Sequence, residues 1–132
     1  MNKIEGKTIL VVEDVDSNYK LVEVILKKNG ADVIHTIYGK EAIKICKENK
    51  DIDLVLMDIQ LPDIDGYEAT TKIKEIIPDL PIISVTAYAS NGDREKSFAV
   101  GCNDYIPKPY RPITLIEKVI EQLDLIDNSN FS

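Results

Sequence analysis

The chain has 132 residues, which allows one domain of ordinary size and little more. Hydrophobic residues make up 44% and charged residues 30%, enough to build a core without metal or disulfide staples and too apolar for a disordered chain. With 16 Lys and Arg against 23 Asp and Glu, the net charge of −7 argues against nucleic acid or an anionic membrane as a direct partner.

No apolar run approaches the ~18 residues of a membrane span, and the N-terminus lacks a signal-peptide pattern. Cys46 and Cys102 have no Cys-x-x-Cys spacing and read as reduced core residues, so a cytoplasmic location is expected.

In chain order, Ile9-Leu10-Val11-Val12 is the first predicted strand. It is continuous rather than alternating, as strands covered on both faces are. Ser17 to Asn29 follows with helical spacing of Leu21, Val22, Val24, Ile25 and Leu26, and Gly30 stands where a helix end closes. Asp32 to Ile37 is a weaker strand. Gly39 to Lys50 puts Ala42, Ile43 and Cys46 on one helical side. Leu54-Val55-Leu56-Met57 is a second buried strand, and Tyr67 to Ile77 a helix stopped by Pro78. Ile82-Ile83-Ser84-Val85, a helix from Gly92 to Val100, a short strand from Asp104 to Ile106 and a helix from Pro112 to Leu123 complete the chain. Residues 1–6 and 126–132 are polar ends expected to be a flexible lead and a disordered tail.

Strands alternating with helices predict an α/β fold with right-handed crossovers and helices on both faces of a parallel sheet. Five of each point to a flavodoxin-like (βα)5 sandwich of strand order 2-1-3-4-5. Ligands in such sheets sit at the carboxyl strand ends, where the order reverses between the first and third strands.

Glu13 and Asp14 follow the first strand, Asp58 the third, Thr86 the fourth and Lys108 the fifth. The fold therefore gathers three carboxylates, a hydroxyl and an ammonium on one edge. Carboxylates so close resist joint ionisation unless a cation offsets them, and a hard ion such as Mg²⁺ (or Mn²⁺) suits their oxygens. These parts point to phosphoryl transfer onto a carboxylate. Asp58 is the expected nucleophile, Glu13 and Asp14 hold the metal, and Lys108 neutralises phosphoryl oxygens.

Each residue alone has a plainer role: Asp14 or Asp16 as a helix cap, Asp58 in a solvated loop, Thr86 bonding backbone, Lys108 on the surface. Their joint fall at strand ends favours the chemistry. His35, the sole histidine, reads as structural. Tyr105 reads as packing that anchors a short strand.

The segments Ile9 to Asp14, Leu56 to Gly66, Thr86-Ala87-Tyr88-Ala89 and Tyr105-Ile106-Pro107-Lys108-Pro109 resemble the receiver domain of two-component response regulators. The resemblance covers about residues 7–125. It implies that Asp58 is phosphorylated, that Glu13, Asp14, Asp58 and the backbone carbonyl of Gln60 hold the metal, and that Thr86 and Tyr105 form the switch. It also implies a cis bond between Lys108 and Pro109. Partners would be a histidine kinase or a histidine phosphotransfer domain, and output would pass through the surface of the fourth helix, fifth strand and fifth helix. Gln60 and Tyr88 fall at positions that tune phosphate lifetime in the family.

Asn18 and the Asp58 to Gly66 run look most like receivers of hybrid sensor histidine kinases, although Val15 and Leu61 depart from the usual asparagine and methionine. A stand-alone single-domain response regulator is the alternative. Asp14-Val15-Asp16 also resembles the opening of haloacid-dehalogenase-type phosphatases, with Asp14 as nucleophile, but that leaves Asp58 and Thr86 unexplained. A flavodoxin-like FMN carrier would need phosphate donors where Glu13 and Asp14 present negative charge. On the receiver reading the chain is a phosphoacceptor rather than an enzyme acting on other molecules.

Overall fold

Every continuous apolar run becomes a strand with helices over both faces. The computed structural model describes residues 4–87 and 91–129. The elements are β1 (Thr8–Val12), α1 (Asp16–Lys28), β2 (Asp32–Thr36), α2 (Gly39–Glu48), β3 (Leu54–Asp58), α3 (Gly66–Ile76), β4 (Ile82–Thr86), α4 (Asn91–Ala99), β5 (Asp104–Pro107) and α5 (Pro112–Ser129). All pairings are parallel and the strand order is β2-β1-β3-β4-β5, the flavodoxin-like order. The reversal falls between β1 and β3, so the crevice at their carboxyl ends is where a site is expected.

Strand alternation divides the core into two layers. Ile9, Val11, Leu54, Leu56, Ile83 and Val85 pack with Val22, Leu26, Leu115 and Val119 of α1 and α5. Leu10, Val12, Val55, Met57 and Ile82 pack with Ala42, Cys46, Ala69 and Ile73 of α2 and α3. Full burial of one such aliphatic side chain contributes roughly 1.5–3 kcal/mol, so these layers supply the main driving force. Both cysteines are buried and free, and burial pushes the Cys46 thiol up to about 11, which keeps it an inert thiol.

Helix α1 closes as its sequence implies. Gly30 has φ +89, the Ala31 N–H donates to Leu26 O and the Gly30 N–H to Lys27 O, a Schellman closure that satisfies the last carbonyls. Two chain ends differ from expectation. Ile4, within the supposed flexible lead, is 0% exposed and packs in the layer under α1 and α5. Helix α5 runs to Ser129 rather than Leu123, so residues 126–129 continue a helix instead of starting a tail. Leu115, Val119, Leu123 and Ile126 keep helical spacing, the signal that marks the longer helix. Tyr88 lies outside the described residues, as do the outermost parts of the expected polar ends, 1–3 and 130–132.

Candidate functional site

Glu13 is the first residue beyond β1, but its backbone still belongs to the sheet edge, because its N–H donates to Thr36 O at 3.1 Å. That holds the side chain at the crevice, where it is 4% exposed. Its Oε2 accepts the Val15 N–H at 3.2 Å and its Oε1 accepts Lys108 Nζ at 2.8 Å. Asp14 stays exposed. Neither Asp14 nor Asp16 caps α1, since the N-cap is Val15 without a side-chain bond, so Asp14 is available for other work.

Asp58 ends β3 and is 6% exposed. Its Oδ1 accepts the Gln60 N–H at 3.2 Å, and its Oδ2 lies 3.6 Å from Lys108 Nζ. The following loop folds back tightly, with the Gly66 N–H donating to Ile59 O at 2.7 Å. Lys108 reaches the crevice from just past β5, its N–H bonded to Thr86 O at 2.7 Å, and the Lys108-Pro109 bond is cis. Thr86 ends β4 beside Pro107 and is buried. Tyr105 is half-buried on β5, and its phenol is pushed up first by burial and then by the charges of Asp93 and Glu95 on α4.

Carboxylate oxygens of Glu13, Asp14 and Asp58 all lie within 4.8 Å of one another. Among the described residues Lys108 supplies the one ammonium paired with them, so the notch carries more negative charge than it balances. Burial, then a shared hydrogen bond with Glu13 and the Glu13 charge, push the Asp58 carboxyl up to about 7, against the pull of Lys108 and the Gln60 N–H. Burial also acts to raise Glu13, but hydrogen bonds from Asp58 and Lys108 outweigh it and hold Glu13 below the ordinary carboxylate value. Without a cation the pair thus holds a proton on the Asp58 side only below about pH 7. An all-oxygen set with this excess charge fits a hard divalent ion such as Mg²⁺.

Beside Lys108, Asn18, Leu21, Ala87, Pro109 and Tyr110 line an open groove. Three contributors to the site escape sequence reading. Tyr110 walls the groove. Asp63 accepts the Gly39 N–H at 2.8 Å and the Lys40 N–H at 3.0 Å, capping α2 from the loop after Asp58. His35 bonds the backbone of Glu13. These are contacts between segments far apart in the chain, and no local pattern encodes them.

A family model for the response regulator receiver domain matches residues 9–120. A hybrid signal transduction histidine kinase I of Dictyostelium discoideum is 41% identical over 123 residues, a match covering 87% of this chain but only 7% of that kinase. The polar-differentiation response regulator DivK of Brucella ovis is 39% identical over 115 residues, covering 86% of this chain and 93% of DivK.

Among solved structures, a CheY-like receiver domain protein of Methanospirillum hungatei superposes with TM-score 0.89 at 32% identity, covering 95% of this chain and 99% of that one. The receiver domain of sensor histidine kinase PA1611 of Pseudomonas aeruginosa, with magnesium in its active-site cleft, gives TM-score 0.81 at 35% identity, covering 89% and 97%. The Saccharomyces cerevisiae Ssk1 receiver domain, crystallised with the histidine phosphotransfer protein Ypd1, gives 0.83 at 30%, covering 90% of each chain. Strand order, the acidic crevice and these matches agree, and the chain belongs to the response regulator receiver domain family.

Proposed function

We propose that this domain accepts a phosphoryl group on Asp58 from the phosphohistidine of a histidine kinase or a histidine phosphotransfer domain, and later loses it to water. The observation that carries the reading is the convergence of Glu13, Asp14 and Asp58 within 4.8 Å, with Lys108 Nζ 2.8 Å from Glu13 and 3.6 Å from Asp58. Asp14, the nucleophile of the phosphatase alternative, has a carboxylate oxygen within 4.8 Å of those of Glu13 and Asp58, which supports a shared cation site.

In the forward step an Asp58 oxygen attacks phosphorus, the P–N bond to the donor imidazole breaks, and the imidazole leaves with the bond's electron pair and takes up a proton. Glu13, Asp14, Asp58 and the Gln60 carbonyl would hold Mg²⁺, which when bound supplies charge neutralisation on the phosphoryl oxygens. Lys108 supplies a movable positive charge on the other side of the transferring group. Its ammonium bridges Glu13 at 2.8 Å and Asp58 Oδ2 at 3.6 Å, so it already stands beside the nucleophile. The apolar rim formed by Leu21, Pro109 and Tyr110 gives a protein phosphodonor a seat next to Lys108.

Phosphorylation would replace the Asp58 carboxylate charge with a phosphoryl group carrying about −1.5 to −2 and three acceptor oxygens at one point. Thr86 turns toward those oxygens, Tyr105 takes the space behind it, and the surface of α4, β5 and α5 changes its partner preference. A place inside a cytoplasmic hybrid histidine kinase fits the Dictyostelium relative, and a stand-alone regulator fits DivK. Incubation with acetyl phosphate and Mg²⁺ tests the core of the reading. Intact-protein mass spectrometry is expected to show one phosphoryl group on the wild type and none on Asp58→Asn. Equal labelling of both, or a label mapped to Asp14, overturns it.

A further inference from the structure

His35 stands outside the chemistry described above, yet it touches the site's backbone. Its Nε2 lies 2.8 Å from the carbonyl oxygen of Glu13. The ring is stacked on Tyr19 of α1, with centroids 3.5 Å apart and planes within 6°. Tyr19 is fixed in turn, because its hydroxyl donates to Glu23 Oε2 at 2.8 Å. On β2, His35 pairs with Val11 and Thr36 with Val12, so the ladder between β1 and β2 runs out at Glu13.

There the Glu13 N–H still finds Thr36 O at 3.1 Å, while its carbonyl has passed the last strand partner and takes the imidazole instead. A side chain thereby extends the sheet by half a residue pair. Glu13 is gripped on both sides of its peptide, and the turn that carries Asp14 leaves from that grip into α1. Tyr19 lies on the same helix, so the stack ties the far end of the turn to the near one.

We infer that His35, clamped by Tyr19, is a positioning residue that presets the Glu13-Asp14 turn for divalent-cation binding. The inference rests on the reading of Glu13, Asp14 and Asp58 as a cation site. Partners that orient metal ligands from behind typically change affinity on the order of tenfold or more when removed, because the freed ligands must be ordered again at each binding event. A residue that only filled space on the edge strand would alter folding stability and leave cation affinity alone.

Binding of Mn²⁺, followed by the electron paramagnetic resonance of the free ion, measures this without any phosphorylation. His35→Ala is expected to weaken Mn²⁺ binding on the order of tenfold. His35→Gln, whose amide can donate to the same carbonyl, is expected to stay within about twofold of wild type. Should His35→Ala not fold, Tyr19→Leu leaves His35 in place but removes its clamp, and a several-fold loss is expected. Unchanged affinity in His35→Ala or, failing that, in Tyr19→Leu overturns the inference, as does failure of His35→Gln to restore binding. Wild-type protein that takes up no Mn²⁺ would overturn the cation-site reading together with it, whereas tight wild-type binding with unaffected variants removes only the role of His35.

Discussion

Gly66 packs so closely beneath Asp58 that a Cβ on it would stand 2.2 Å from the Asp58 carbonyl oxygen. The opposing atom belongs to the backbone of a central strand, which cannot swing aside as a flexible side chain could. This contact brings the N-terminus of α3 against the strand that ends at Asp58. It also lets the intervening loop close through the bond from Gly66 N–H to Ile59 O.

Gly66→Ala is therefore expected to destabilise the fold by about 1–3 kcal/mol through overpacking. Urea denaturation measures it. A loss below a few tenths of a kcal/mol would show that the loop relaxes freely.

The Asp58 carboxyl sets a pH dependence. Its ordinary value is 3.8 and in the folded, cation-free protein it stands at about 7, so the folded state binds this proton more tightly than the unfolded chain. Its contribution to stability is complete below about pH 4 and is lost as pH rises toward about 7. Glu13, held below its ordinary value, acts oppositely and loses its contribution on acidification. Across the neutral limb, Asp58→Asn is expected to flatten the profile and to be more stable than the cation-free wild type by about 1–3 kcal/mol above pH 7. Thermal melts in chelator check this, and superimposable profiles would refute it. Mg²⁺ should narrow the gap by stabilising the ionised wild type.

Lys108 neutralises a nearly buried carboxylate, with side-chain exposures of 18% for Lys108 and 5% for Glu13. Replacing it with Met leaves Glu13 and Asp58 facing each other without their protein cation. In chelator, Lys108→Met should lose about 1–3 kcal/mol of stability, most strongly at neutral pH. Saturating Mg²⁺ should restore much of that loss, while acetyl-phosphate labelling stays slow. Fast labelling at wild-type rate would remove Lys108 from the transfer step.

Helix α2 has Tyr38 at its N-cap, with no side-chain cap of its own. Asp63 supplies the acceptors from the loop after Asp58, bonding Gly39 N–H and Lys40 N–H. Those backbone donors and the positive end of the helix hold its carboxylate below the ordinary value despite the opposing effect of burial. Asp63→Ala should cost about 1 kcal/mol in chemical denaturation, whereas Asp63→Asn should retain part of the cap. No change in either would mean that water replaces the carboxylate without loss.

Much of this protein is legible without coordinates because parallel strands buried on both faces must be apolar along their length. Ile9 to Val12, Leu54 to Met57 and Ile82 to Val85 announce themselves that way, and Gly30 and Pro78 mark helix ends by the backbone angles they allow or forbid. Topology then sends Glu13, Asp14, Asp58, Thr86 and Lys108 to one sheet edge. Only the tertiary structure decides how they pair there. It buries Glu13 and Asp58 but leaves Asp14 exposed, and it sets Lys108 nearer Glu13 than Asp58. It also draws Ile4 into the core and brings Asp63 to α2 and His35 to Glu13. Those outcomes depend on distances between segments remote in the chain, and local propensity carries no information about which distant acceptor or cation a side chain will meet.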